Sequence, residues 1–252
     1  MLALPAHIHP EHSAAVATLA ASLAEEFGAA FLGMLIGGSV GQGTARVDSD
    51  IDIFILIDAL WYQRRREDVG GVGLDIFINP PARVLYKLMH EESSSLIENY
   101  AQGWIAYDPS HQVLRISEAA RARYARGRRA VTPIELFASR SSCENLVEMV
   151  VRAAAASDSL ALNYAAAVLA ARVVESYYIL KAKWDPPPKH RMRELVIEDP
   201  EFCALLRVLL DSGSVEAARA GAATSIVEQI FGAEQREGGR KRWGPRRPFP
   251  RP

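Results

Sequence analysis

Between residues 50 and 57 the chain reads DIDIFILI. After the second aspartate both alternating faces of the run are apolar, which a strand needs only when it lies inside a sheet covered on both sides. Such a strand needs other strands beside it and helices over it, so this part of the chain is expected to be a mixed α/β layer. The same run carries Asp50 and Asp52. Strand side chains alternate, so the two carboxylates share one face, about 6–7 Å apart at Cα. Carboxylates set into an apolar strand cost free energy unless something neutralises them.

The neighbouring segments supply the layer. Residues 9 to 27 have Pro10 near a helix start, apolar positions at helical spacing and Gly28 as a stop. FLGMLI (31–36), VGLDIFI (72–78) and WIAY (104–107) read as strands, while LWYQRRRED (60–68) reads as a polar connection. Pro81 opens a helix expected to run to Gln102. Beyond Pro109 the strand signal stops. Stretches 132–156, 158–183, 189–210 and 214–231 are alanine- and leucine-rich with helical period, separated by WDPPP (184–188) and DSG (211–213). The expected class is α+β: a mixed sheet with helices over residues 1–128, an all-α helical bundle over 129–234, and a basic Pro/Arg-rich tail at 235–252.

Charge divides along the same lines. The whole chain carries −1, but residues 236 to 252 hold seven Lys or Arg against one Glu, which leaves −7 on residues 1–235. The tail is either a plain basic end or a nucleic-acid arm; the acidic body offers no basic groove, and nucleic acid is not an expected partner. Cys143 and Cys203 are the only cysteines, far apart, which speaks against a disulfide framework or a zinc site and for a reducing compartment. No secretory leader pattern and no apolar run of about 18 residues is present, so the expected location is cytoplasmic, with no membrane partner.

The acidic face has a natural complement. Asp75, between Leu74 and Ile76, adds a third carboxylate from the next strand. Oxygen-only ligands suit Mg²⁺ or Mn²⁺ with phosphates completing the shell. Gly37-Gly38-Ser39 precedes the aspartates; glycines admit a ligand close to the backbone, Ser39 adds a donor, and a short helix beginning there would add its N-terminal N–H groups. The layout suits a nucleoside triphosphate and its metals.

Gly38-Ser39, Ser49-Asp50-Ile51-Asp52 and Asp75 together resemble the signature of the DNA polymerase β-type nucleotidyltransferase superfamily. The two-part layout over roughly residues 10 to 232 is similar to antibiotic nucleotidyltransferases of the kanamycin type. The resemblance implies two Mg²⁺ ions (or Mn²⁺) on Asp50, Asp52 and Asp75, a nucleoside triphosphate such as ATP held with Gly38 and Ser39, and a homodimer. ENLVEMVVR (144–152) places Glu144, Glu148 and Arg152 four apart on one helix face. By resemblance Glu148 is the general base and Arg152 a phosphate contact, although the family pattern has Lys where this chain has Arg; the other reading is an ordinary stripe of surface ion pairs. Lys189, with His190 and Arg191 at the start of a helix, is either a further triphosphate contact or part of a surface loop. Arg64 to Arg66 are expected on a solvated face.

The implied activity is metal-dependent transfer of a nucleoside monophosphate to a hydroxyl of a small molecule, with an aminoglycoside-like acceptor favoured and pyrophosphate released. Adenylylation of a protein side chain and a non-catalytic nucleotide-binding protein are the alternatives.

Overall fold

The structure, a computed structural model, describes residues 2–90 and 93–232. The basic tail expected at 235–252 lies outside the described residues. The chain divides into two compact units, Met1–Gly127 and Arg128–Pro252.

The first unit is built on a five-stranded sheet. Its strands are β1 (Phe31–Ile36), β2 (Ile51–Ile57), β3 (Gln63–Val69), β4 (Val72–Asn79) and β5 (Trp104–Tyr107), in the order β3-β4-β2-β1-β5. β2 and β4 are parallel and the other pairings antiparallel. β2 is central, as its two-sided apolar pattern requires. Ile51, Ile53, Ile55 and Ile57 join Leu74, Ile76 and Ile78 of β4 on one face. Helix α1 (Pro10–Phe27) covers that face with Ala15, Val16, Leu19 and Leu23, a stripe at helical spacing. Each of these large side chains contributes roughly 1.5–3 kcal/mol by leaving water.

Phe54 and Leu56 point to the opposite face, where the Phe54 and Phe77 rings stack at 4.9 Å and Tyr100 meets Phe54 edge-on at 5.4 Å. Tyr100 belongs to α4 (Ser94–Gln102), which follows α3 (Pro81–His90). The single helix expected from Pro81 to Gln102 is therefore two. Ser93 starts the second, its hydroxyl accepting from the Leu96 N–H at 3.2 Å. Helix α5 (Gln112–Ala125), which the sequence pattern did not suggest, is capped by both oxygens of Asp108. A side-chain carbon at Gly33 would strike Val113 of α5, so the sheet and this helix meet closely.

The largest departure from expectation is β3. Residues 63 to 69 are an edge strand rather than a connection, joined to β4 through Gly70 and Gly71 at φ 63° and 84°. Both central positions of this two-residue hairpin need positive φ, and only glycine adopts that at no cost. The strand reads as polar because its side chains are largely exposed.

The second unit is helical: α6 (Pro133–Ala155), α7 (Ser159–Leu180), α8 (Pro188–Glu198), α9 (Pro200–Leu210) and α10 (Glu216–Phe231). α7 supplies the centre with Leu162, Leu169, Val173 and Tyr177 among its buried residues, packed with Phe202 and Leu206 of α9 and Ile226 of α10. The helix expected over 189–210 is two helices. Asp199 accepts from the Phe202 N–H at 3.1 Å and Pro200 takes the first turn, where its missing N–H costs nothing. Thr132 and Glu135 cap α6 reciprocally. Among the described residues no helix is long and apolar enough to cross a membrane.

Candidate active site

The acidic face follows from the strand register. Asp52 of β2 and Asp75 of β4 are directly paired across the parallel strands. Both alternate with buried apolar residues, so both side chains leave on the Phe54–Phe77 side of the sheet. Asp50 lies one residue before β2 begins rather than inside it, and is exposed. Its carboxylate occupies the place a side chain at Gly73 would take, and Gly73 shares its strand face with Asp75. Asp52 is accommodated in the same way: its Oδ2 lies where Gly38, at φ 58°, would carry a Cβ. Two glycines thus make room for two of the three acids.

The glycine turn is anchored to the same strand. The Gly37 N–H donates to the Asp52 carbonyl at 2.8 Å, and residues Gly38–Gly41 form α2, a single turn of four residues. Ser39, within that turn, is half-buried and accepts the Thr44 N–H at its carbonyl, 2.9 Å away. The Gly38 N–H is not open: it donates to Asn99 Oδ1 at 2.6 Å, while Asn99 Nδ2 donates to the Ser95 carbonyl at 2.8 Å. A side chain at Gly37 would collide with Asn99 and with the Phe54 ring. Asn99, on α4, therefore sets the turn, a role nothing local in the sequence signals.

The arginine triplet is divided by strand alternation. Arg64 and Arg66 fall on the acidic face, and Arg65 falls on the other. Arg64 grips Asp75 with both arms of its fork, Nε to Oδ1 at 2.8 Å and Nη2 to Oδ2 at 2.5 Å, and its guanidinium lies 4.9 Å from the centre of the Phe77 ring. Arg66, paired with Asp75 in register, approaches the same carboxylate at 3.9 Å. The hydrogen bonds and charge of Asp75, with a smaller contribution from Asp52, hold Arg64 above its ordinary pKa. Arg65 instead pairs with Glu26 of α1 and lies 5.7 Å from the Phe27 ring centre. The expectation that all three are simply solvated is corrected by these contacts. The Gly70-Gly71 pair that follows the triplet was the available signal of a hairpin.

Among the described residues no group of three His, Cys, Asp or Glu stands ready-arranged around a metal ion. The donors are nonetheless of the right kind for a hard divalent cation: all oxygen, two of them in register on adjacent strands, with glycine on either side where a side chain would close the space. Asp52 and Asp75 fit as its holders with Asp50 alongside, on the condition that Asp75 gives up Arg64.

The remaining residues singled out in the sequence lie in the second unit. On α6, Arg140 pairs with Glu144 at 2.8 Å and Arg152 with Glu148 at 3.2 Å, so the expected stripe exists as i,i+4 ion pairs. The Arg152 and Glu148 side chains are 80% and 46% exposed, the geometry of a surface pair. Lys189 is exposed in the first turn of α8, and Arg191 two residues on is bound to Asp185.

Comparison with known proteins bears on the fold and on the segment that carries the sheet. Residues 18–99 match the profile of the family described as nucleotidyltransferase domain, a segment containing Gly38, Ser39, Asp50, Asp52, Arg64, Asp75 and Asn99. The fold is similar to that of a nucleotidyltransferase-like protein from Exiguobacterium sibiricum, with a TM-score of 0.53 and 9% identity over 87% of this chain and 74% of that one. No curated protein matches the chain. Over residues 18–99 the chain thus matches a nucleotidyltransferase domain, and nucleotidyl transfer is the generic activity of that domain.

Proposed function

We propose that the protein transfers a nucleoside monophosphate from a nucleoside triphosphate, ATP first among the candidates, to a hydroxyl of a small cationic molecule of the aminoglycoside kind. The observation that carries this reading is the pairing of Asp52 with Asp75 on one sheet face against the Gly37-Gly38-Ser39 turn. The net −7 of residues 1–235 favours a cationic acceptor over a polyanionic one. A homodimer remains the expectation that comes with the kanamycin-type resemblance.

In this reading Asp50, Asp52 and Asp75 hold Mg²⁺ or Mn²⁺. The bound cations would neutralise triphosphate charge and acidify the acceptor hydroxyl. Ser39, half-buried in the turn, offers its hydroxyl to a phosphate oxygen, and Asn99 keeps the turn in place through Gly38. The acceptor oxygen forms a bond to the α-phosphorus, the bond from that phosphorus to the bridging oxygen breaks, and pyrophosphate leaves with the electron pair. Within the first unit Asp75 takes the acceptor proton; Glu148 as base and Arg152 and Lys189 as phosphate contacts remain expectations that come from the sequence and its resemblance. Positioning and charge compensation carry the rate, with no covalent enzyme intermediate.

The test is pyrophosphate release by the purified chain with Mg²⁺, each nucleoside triphosphate and a panel of aminoglycosides and lincosamides. Release that needs one acceptor and falls at least about a hundredfold in Asp52→Asn supports the reading. Near-normal turnover in Asp52→Asn would sink the assignment of the acids. Triphosphate binding without release for any small acceptor would transfer the reading to a protein acceptor.

A further inference from the structure

We propose that Arg64 is a resident counter-ion for Asp75, holding that carboxylate until a divalent cation takes it and then passing to the charge of the triphosphate. The proposal rests on the reading in which Asp52 and Asp75 are cation holders.

Two carboxylates in register on neighbouring strands repel each other, and Asp75 is only 15% exposed. Without a cation its charge needs a partner, and a guanidinium fork is the side chain that satisfies both carboxylate oxygens at once. Arg64 does so from the edge strand, at 2.8 and 2.5 Å. Its own side chain is 55% exposed and lies over Phe77 rather than inside the core, so it can leave Asp75 without opening the packing. Arg65 is the contrast within the same triplet. It is 24% exposed, bound to Glu26 and set against Phe27, on the face away from the acids. Arg66, at 3.9 Å from Asp75 and 79% exposed, adds charge without a fork.

A guanidinium does not give up its proton near neutral pH. Once displaced, Arg64 keeps its charge beside the acidic face, tethered by β3. Phosphate oxygens are the ligands that match its planar fork. The exchange has opposite signs for the two ligands: Arg64 competes with the cation for Asp75 and assists the triphosphate.

Those signs give the experiment. Mn²⁺ binding to the full chain is followed by the electron paramagnetic resonance of the free ion, with no nucleotide present. Arg64→Gln is expected to bind Mn²⁺ about fivefold tighter than the wild type, the scale of a half-exposed ion pair. Arg65→Gln is expected to match the wild type, and Asp52→Asn to lose the site. Inorganic tripolyphosphate is then titrated into the Mn²⁺-saturated protein, and Arg64→Gln is expected to bind it about fivefold more weakly. Arg64→Lys, which keeps the charge and loses the fork, carries both tests if Arg64→Gln does not fold.

Unchanged or weaker Mn²⁺ binding in Arg64→Gln, where Asp52→Asn abolishes it, overturns the counter-ion role and leaves the cation reading standing. Unchanged tripolyphosphate binding overturns the handover. Mn²⁺ binding that ignores Asp52→Asn overturns the proposal and the cation reading together.

Discussion

Gly38 is where backbone and site constraints coincide, and Gly38→Ala separates them. The residue sits at φ 58°, in the left-handed region, and a Cβ there would fall far inside contact distance of Asp52 Oδ2. The backbone term for an L-residue is about 1–2 kcal/mol. Pushing Asp52 off its rotamer adds about 0.5–1.5 kcal/mol. The sum, near 2–3 kcal/mol, corresponds to a drop of about 10 °C in the unfolding midpoint of a unit this size. Gly70 supplies the control, since it has φ 63° and nothing within 4 Å of its would-be Cβ. Gly70→Ala is expected to show the backbone term alone, about 1–2 kcal/mol. Gly73→Ala supplies the converse. No positive φ is involved there and the nearest atoms a Cβ would meet all belong to the exposed Asp50. Its stability is expected to hold or rise slightly, because glycine is a poor strand residue, while pyrophosphate release falls as Asp50 is displaced. Thermal unfolding of the three variants, beside release assays, reads all of this. Gly38→Ala as stable as Gly70→Ala would refute the claim that Asp52 needs the space.

Other outcomes follow from single contacts. The Tyr100 hydroxyl is buried with no hydrogen-bond partner among the described residues, and burial pushes its pKa up. Tyr100→Phe is therefore expected to leave stability unchanged or raise it by up to about 1 kcal/mol, and a loss larger than that in urea unfolding would reveal a partner. The hydrogen bond from Arg65 holds the Glu26 carboxyl below its ordinary range. A lowered carboxyl pKa contributes stability that is present above the unfolded-state value and is lost as pH falls through the folded one. The difference in unfolding free energy between wild type and Arg65→Ala is expected to be full at neutral pH and to shrink with acidification; a difference that grows in acid would contradict the pairing.

Much of the sheet was legible because buried strands are written in apolar residues. β1, β2, β4 and β5 stand in the sequence within a residue of their observed ends. β3 was not legible in this way, since an edge strand with exposed side chains has no reason to alternate polar with apolar. Only the Gly70-Gly71 pair marks its hairpin. The breaks at Ser93 and Asp199 were written as a cap residue, and in the second case as Asp-Pro, but the periodic residues on either side masked them. Helix α5 buries Val113, Ile116, Ser117 and Ala120. All four are β-branched or small, and Arg115, Arg121 and Arg123 of the same helix dominate the pattern. The acids were legible one by one. What holds them was not: Asn99 reaches Gly38 across 61 residues and Arg64 reaches Asp75 across 11, contacts that exist only once the strands and α4 are in place.

The position of β3 has one more consequence. It is the outermost strand on its side of the sheet, and among the described residues its outer row of backbone N–H and C=O groups faces no partner strand. A bare edge of that kind is a template on which another chain can add a strand and begin to aggregate. Arg64, Arg65, Arg66, Glu67 and Asp68 fill it with consecutive charges of both signs, which an incoming strand would have to desolvate. The segment least like a strand in the sequence is in this sense the sheet's guard against self-association, and charge-neutralising changes along it should be watched for loss of solubility as well as for loss of transfer.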